Sequence, residues 1–207
     1  MNFTIDNINS MCLDLLKEIG NIGSGNAATS LSQMINKKVD MQVPNIEVID
    51  TQKVVEMFED PEEITIGVYI NFTGDIQGTI LTLLDTKSAN VLIRSLLGTE
   101  VQGNEYGEME RSVIQELGNI MTSGYVNAIS MFSNLFMNIS IPSVSIDMVS
   151  SILSVPAVEY GIESDKLILI ENVLDLEGDD VNCYFFFMPD LDSFEKLFRM
   201  LGVLKDE

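Results

Sequence analysis

Eleven basic residues against thirty-two acidic ones give this 207-residue chain a net charge of −21, and it contains no histidine. The negative excess argues strongly against nucleic acid or anionic membrane as a partner, because phosphate binding needs clustered Lys and Arg. The missing histidine excludes Ser-His-Asp and Cys-His nucleophiles, phosphohistidine intermediates and histidine-ligated metals.

A 46% hydrophobic content supplies a buried core for one large domain or two small ones. The opening Met1 to Asp6 has no basic or apolar region, which predicts no signal peptide. No apolar run approaches the ~18 residues of a membrane span. A long helix is expected from Ser10 to Asn36, then an extended segment from Pro44 to Asp50. The acidic run Glu59-Asp60-Pro61-Glu62-Glu63 reads as a solvated turn. Ile64, Ile66, Val68, Ile70 and Phe72 alternate with Thr65, Gly67, Tyr69 and Asn71, the period of a half-buried strand. Gly74-Asp75 turns that strand into Gly78 to Leu84, and a short amphipathic helix ends at Gly98. A junction at 99–107, containing Gly103 and Gly107, leads to a second long helix, Glu110 to Asn134. Pro142 to Met148 is again extended, and Lys166 to Leu174 pairs with Val181 to Met188 across a turn at Glu177 to Asp180. Asp192 with Glu195 makes a capping box for the closing helix.

That order repeats. Leu16-Lys17-Glu18-Ile19-Gly20-Asn21-Ile22 superposes on Ile114-Gln115-Glu116-Leu117-Gly118-Asn119-Ile120 after a shift of 98 residues, and the same shift carries Ser32 onto Ser130 and Pro44 onto Pro142. Val91 to Gly98 resembles Glu195 to Gly202 at a shift of 104, so the second half gained about six residues in between, expected in a surface loop. Hairpins plus helices, without strict β-α-β alternation, predict an α+β fold with an antiparallel-rich sheet. The halves, 8–98 and 108–203, are expected to pack about a pseudo-two-fold axis as one duplicated domain, 1–207.

At about 100° per residue, Asp14, Glu18, Asn21 and Gly25 fall within about 60° of arc on the first long helix. Leu15, Leu16, Ile19, Ile22 and Ala27 take the other side. Ser112, Glu116, Asn119 and Ser123 repeat the stripe on the second, opposite Val113, Ile114, Leu117, Ile120 and Met121. The amphipathic pattern therefore turns a carboxylate and a primary amide, at i and i+3, outward in both halves. Ordinary solvated polar residues would explain one such copy. Keeping Glu-x-Gly-Asn in both copies while the rest drifts points beyond stability, since mid-helix glycines cost about 1 kcal/mol each. Gly20 and Gly23 also fit a close helix approach. A phosphate cradle at Gly20 to Gly25 is disfavoured, for no strand precedes it and no P-loop lysine follows.

The spacing of Asp14, Glu18, Asn21 and Pro44, matched by Ser112, Glu116, Asn119 and Pro142, resembles the signature of the CheC/CheX/FliY family of chemotaxis phosphatases. The resemblance covers nearly the whole chain, and its doubling fits the two-site members. It implies hydrolysis of the aspartyl phosphate on the response regulator CheY by a duplicated α+β unit with two exposed signature helices. Glu18 with Asn21, and Glu116 with Asn119, become the two catalytic centres; Asp14, Ser112, Pro44 and Pro142 are supporting residues. No intrinsic cofactor or metal is implied, because the phosphorylated regulator brings its own Mg²⁺ and lysine. An acyl phosphate is already activated, so hydrolysis mainly needs a water held in line and charge stabilisation. A carboxamide accepts one hydrogen bond from water and donates another without titrating. Asn21 and Asn119 fit that role. Glu18 and Glu116 fit pairing with a cation on the regulator; general base catalysis is the lesser option, since an exposed carboxylate is a weak base at neutral pH. The centres are expected to be unequal, because Gly25 and Asn26 become Ser123 and Gly124.

The resemblance also implies a second partner, the receptor-modifying glutamine deamidase CheD, and so a rival reading as a regulatory binding protein. Ser145 to Leu153, with Asp147, is the candidate contact; a strand followed by a core helix explains the same residues. Twelve methionines are scattered and read as core filling. Cys12 and Cys183 read as two buried thiols. The expected protein is a cytoplasmic monomer.

Overall fold

The computed structural model describes residues 10–50, 53–101, 103, 105–160, 166–176 and 178–202. In chain order these form α1 (Ser10–Ile35), β1 (Asp40–Asp50), a 3-10 turn at Val55–Met57, β2 (Ile64–Gly74), β3 (Gly78–Asp85), α2 (Thr86–Leu97), α3 (Glu108–Ser133), β4 (Met137–Ile139), β5 (Ser143–Met148), α4 (Val149–Tyr160), β6 (Lys166–Leu176), β7 (Asp179–Pro189) and α5 (Leu191–Met200). No helix among the described residues is long and apolar enough to cross a membrane.

The duplication shows in the seven-stranded antiparallel sheet, whose order is β1-β6-β7-β3-β2, with β4 and β5 both on the free side of β2. Each half contributes a hairpin, β2–β3 or β6–β7, and the two hairpins meet where β3 pairs with β7. The outer strands are exchanged: β1 of the first half pairs with β6 of the second, and β5 of the second pairs with β2 of the first. Neither half can therefore complete its sheet alone.

Alternation along the strands sends residues to two cores. On one face Ile66, Val68, Ile70, Phe72, Ile80, Leu84, Ile168, Ile170, Phe185 and Phe187 pack under α1, α2, α3 and α5. On the other, Leu81, Leu83, Leu167, Leu169, Phe186 and Met188 are covered by Val54, Val149, Ile152 and Leu153. This second layer corrects two expectations. β2 is not half-buried, because Thr65 and Gly67 are buried as well; a Cβ at Gly67 would come within 2.7 Å of Ile152 Cγ2 in α4. Among the described residues those gained by the second half are not simply a surface loop, since α4 stands where the described part of the first half forms a 3-10 turn. The acidic run does form a turn, and the carbonyls of Glu63 and Pro61 accept from the Val149 and Ser150 N–H groups that open α4.

Both closing helices start the same way. Asp85 accepts from Ser88 N at 2.6 Å, and Asp190 accepts from Ser193 N at 2.8 Å. The Ser88 hydroxyl accepts from Asn182 N and the Ser193 hydroxyl from Gln77 N, so each cap also holds the other half's hairpin. The cap of α5 is thus Asp190 with Ser193, not the expected box of Asp192 and Glu195. The buried sets Ser88, Ala89, Leu92, Ile93 and Ser193, Phe194, Leu197, Phe198 place the helices one residue away from the glycine-based alignment. Cys183 is a buried free thiol whose pKa burial pushes up to about 12; the Cys12 side chain and Glu177 lie outside the described residues.

Candidate functional site

α1 and α3 lie side by side on one face of the sheet and cross closely through small residues. A Cβ at Gly124 would sit 2.7 Å from the Gly23 carbonyl oxygen, and one at Gly23 would sit 2.6 Å from Tyr125 Cδ1. Tyr125 is fully buried, stacks at a tilt on Phe185 with centroids 4.4 Å apart, and donates its hydroxyl hydrogen bond to Asn172 Oδ1. The signature glycines serve packing too: a Cβ at Gly118 would come within 2.5 Å of Val68 Cγ1, and one at Gly20 would strike Ile46. Close approach, rather than phosphate cradling, therefore accounts for Gly20, Gly23 and Gly118.

With that face fixed downward, the polar stripe is turned out. Leu16, Ile19 and Ala27 are buried, while Asp14, Glu18, Asn21 and Gly25 are exposed. On α3, Ile114, Leu117 and Met121 are buried, Ser112 and Glu116 are exposed, and Asn119 and Ser123 are half-buried. The two stripes are thus alike in placement and unequal in openness. Among the described residues, none of the Glu18, Asn21, Glu116 and Asn119 side chains has a hydrogen-bond or ion-pair partner within the chain. Their polar atoms are unspent, while the neighbouring Ser24 and Ser112 hydroxyls are turned back onto the Asn21 and Glu108 carbonyls, at 2.9 and 2.8 Å.

The two prolines do different work. Pro44 is exposed within β1 at a register shift between Gln42 and Asn45, an edge-strand irregularity that tolerates its missing N–H. Pro142 precedes β5, and its carbonyl accepts from Gln115 Nε2 at 3.3 Å, tying that loop to the signature helix. Gln115 was not singled out from sequence; its position beside Glu116 was the available signal. Asp147 lies elsewhere. It is exposed on the edge strand β5, accepts from Met148 N at 2.7 Å and pairs with Thr65. Because the adjacent Ile146 packs with the core under α1 and α3, alternation turns Asp147 to the opposite face of the sheet. Among the described residues no group of three or more His, Cys, Asp or Glu is placed to hold a metal ion.

The methionines depart from expectation. Met121, Met137 and Met188 are buried, but Met57, Met109, Met131, Met148 and Met200 are exposed. Met109 and Met34 line an open groove of about 500 Å³ with Leu96, Leu97 and Val113, running up to Ser112 and Glu116.

Fold and site together define a duplicated α+β module that carries two Glu/Asn pairs on neighbouring helices. The model of the CheC-like family matches residues 11–48 and 109–146, each stretch running through a signature helix and past its proline. Over 195 residues the chain is 30% identical to the CheY-P phosphatase CheC of Bacillus subtilis, covering 92% of this chain and 93% of that one. It is 29% identical over 144 residues to the flagellar motor switch phosphatase FliY of Bacillus subtilis, 69% of this chain and 37% of that protein. Thermotoga maritima FliY shares the fold with a TM-score of 0.74 at 23% identity, covering 98% of each chain. The middle domain of Helicobacter pylori FliM does so with a TM-score of 0.67 at 13% identity, over 96% of this chain and 99% of that one. The chain belongs to the CheC-like family, a chemotaxis family whose named members include CheY-P phosphatases.

Proposed function

We propose that this chain hydrolyses the aspartyl phosphate of phosphorylated CheY, with one centre at Glu18 and Asn21 and a second at Glu116 and Asn119. The observation that carries the reading is the repeated, outward-facing carboxylate and carboxamide, unpaired within the chain and mounted on helices that their glycines lock to the sheet. An amide held on a rigid helix places its oxygen and nitrogen without a rotating backbone, which is what orienting a water for in-line attack requires. Asn21 and Asn119 take that part. Glu18 and Glu116, one helical turn earlier, pair with a cation on the docked regulator and set the approach angle. The Mg²⁺ that stabilises charge on the phosphoryl group belongs to the regulator. The test is phosphate release from phosphorylated regulator in Mg²⁺: release faster than spontaneous decay supports the reading, and no acceleration at saturating protein refutes it.

A second reading is favoured by the position of Asp147. It is exposed on the sheet face opposite the signature helices, next to the exposed Met148, so a protein bound there leaves both centres free. The deamidase CheD is the partner proposed for that edge. Asp147→Lys should abolish co-purification with the deamidase while leaving phosphate release unchanged; retained binding removes Asp147 from the reading.

A further inference from the structure

We infer that the groove beside Glu116 is the seat in which the response regulator docks at the second centre, taking an apolar side chain of the regulator with a cationic side chain next to it. The inference rests on the phosphatase reading and adds a specificity surface to it. The groove gathers the ends of three helices: Met34 from the end of α1, Leu96 and Leu97 from the end of α2, and Met109 and Val113 from the start of α3. It is open, about 500 Å³, and Met109 remains 66% exposed at its lip. With Met34, Leu96, Leu97 and Val113 this methionine forms one contiguous apolar lining, and an unbranched thioether at the lip can adapt to a visiting side chain.

Three observations choose the occupant. First, the groove is continuous with the centre, because Ser112 and Glu116 line it as well as belonging to the signature stripe. A regulator that presents its phosphoaspartate to Asn119, one turn beyond Glu116, must lie over that opening. Second, the charged residues that line it are both carboxylates, Glu108 and Glu116. Among the described residues no basic side chain lines the groove, and Arg94 of α2 is engaged by Glu100 at 3.4 Å and Asp179 at 2.8 Å, so the lining suits a cation carried by the visitor. Third, a second copy of this chain would carry a net charge of −21 against these carboxylates, which disfavours self-association on this face.

The test silences one centre at a time. In an Asn21→Ala background, where turnover comes from the second centre, Met109→Asp and Leu96→Ser should each raise KM about tenfold while leaving kcat within about twofold, since each removes apolar docking area and touches no reacting atom. In an Asn119→Ala background the same substitutions should leave KM unchanged. An unchanged KM in the first background, or an equal rise in both, overturns the inference. Binding of beryllofluoride-loaded regulator to the Asn21→Ala/Asn119→Ala variant, read by calorimetry, separates docking from catalysis. An affinity about tenfold weaker at one of two binding sites on adding Met109→Asp supports the groove even if that double variant still hydrolyses phosphate, a result that would count only against the carboxamide assignment. A wild-type dimer in sedimentation that Met109→Asp dissociates would assign the groove to a second copy and overturn it.

Discussion

The crossing of the two signature helices sets the sharpest stability prediction. Gly124→Ala places a Cβ 2.7 Å from the Gly23 carbonyl oxygen and 3.1 Å from both Ala27 Cβ and Ala27 N. Two of those three neighbours are backbone atoms of α1, so no side-chain rotation relieves the clash and the helices must part. A Gly→Ala change in a helix gains about 1 kcal/mol of propensity. Overpacking of a tight contact costs about 1–3 kcal/mol, and an immovable neighbour puts this site in the upper part of that range. The expected net change is a loss of about 1–2 kcal/mol. Gly25→Ala is the matched control: it is one turn from Asn21, nothing lies within 4 Å of its added Cβ, and the propensity gain should appear undiminished, about 0.5–1 kcal/mol of added stability. Urea unfolding with an unchanged m-value should therefore separate the two variants by about 1.5–3 kcal/mol, in opposite directions from wild type. A Gly124→Ala protein as stable as wild type would refute the close-packing account of these glycines.

Glu18→Ala and Glu116→Ala should raise KM for phosphorylated regulator about tenfold each in the appropriate single-centre background, with a smaller fall in kcat, as expected for docking groups. Tyr125→Phe, which strips the hydroxyl from Asn172 in the core, should cost about 1–2 kcal/mol in denaturant unfolding and leave the exposed stripes in place. Asp190→Ala should remove the α5 cap and about 1 kcal/mol at neutral pH. Burial opposes ionisation of Asp190, but hydrogen bonds from the Ser193 hydroxyl, the Ser193 N–H and Gln77 outweigh it and hold the carboxyl below its ordinary value. A folded-state pKa that is depressed stabilises the fold above the unfolded value and ceases to do so as pH falls through the folded one. The gap between wild type and Asp190→Ala should accordingly close on acidification; a gap that widens would contradict the assignment.

What the amino-acid order reveals here is set by how local each cause is. The stripes of Asp14, Glu18, Asn21 and of Ser112, Glu116, Asn119 were legible because helical period alone decides which side an amphipathic helix buries. The hairpins were legible because alternation and a turn at Gly74-Asp75 are contained in a few residues. The features that escaped are set by contacts distant in sequence. Gly124 looked like a difference between the centres, and its reason is the carbonyl of Gly23 on another helix. Gly67 read as the solvent side of β2 because its covering residue, Ile152, comes much later in the chain. Asp190 rather than Asp192 caps α5, and that choice depends on Gln77, which donates to both Asp190 and Ser193. The groove joins Met34, Leu96 and Met109 from three helices, and no spacing rule connects them.

The measurement closest to the centre of the account is phosphate release by the Asn21→Ala/Asn119→Ala variant, with native far-ultraviolet circular dichroism and retained binding of beryllofluoride-loaded regulator as controls. Decay of the regulator's phosphate at its spontaneous rate, with each single variant keeping part of the acceleration, is the predicted result. Wild-type acceleration in the folded, regulator-binding double variant would show that the two carboxamides do not position the attacking water.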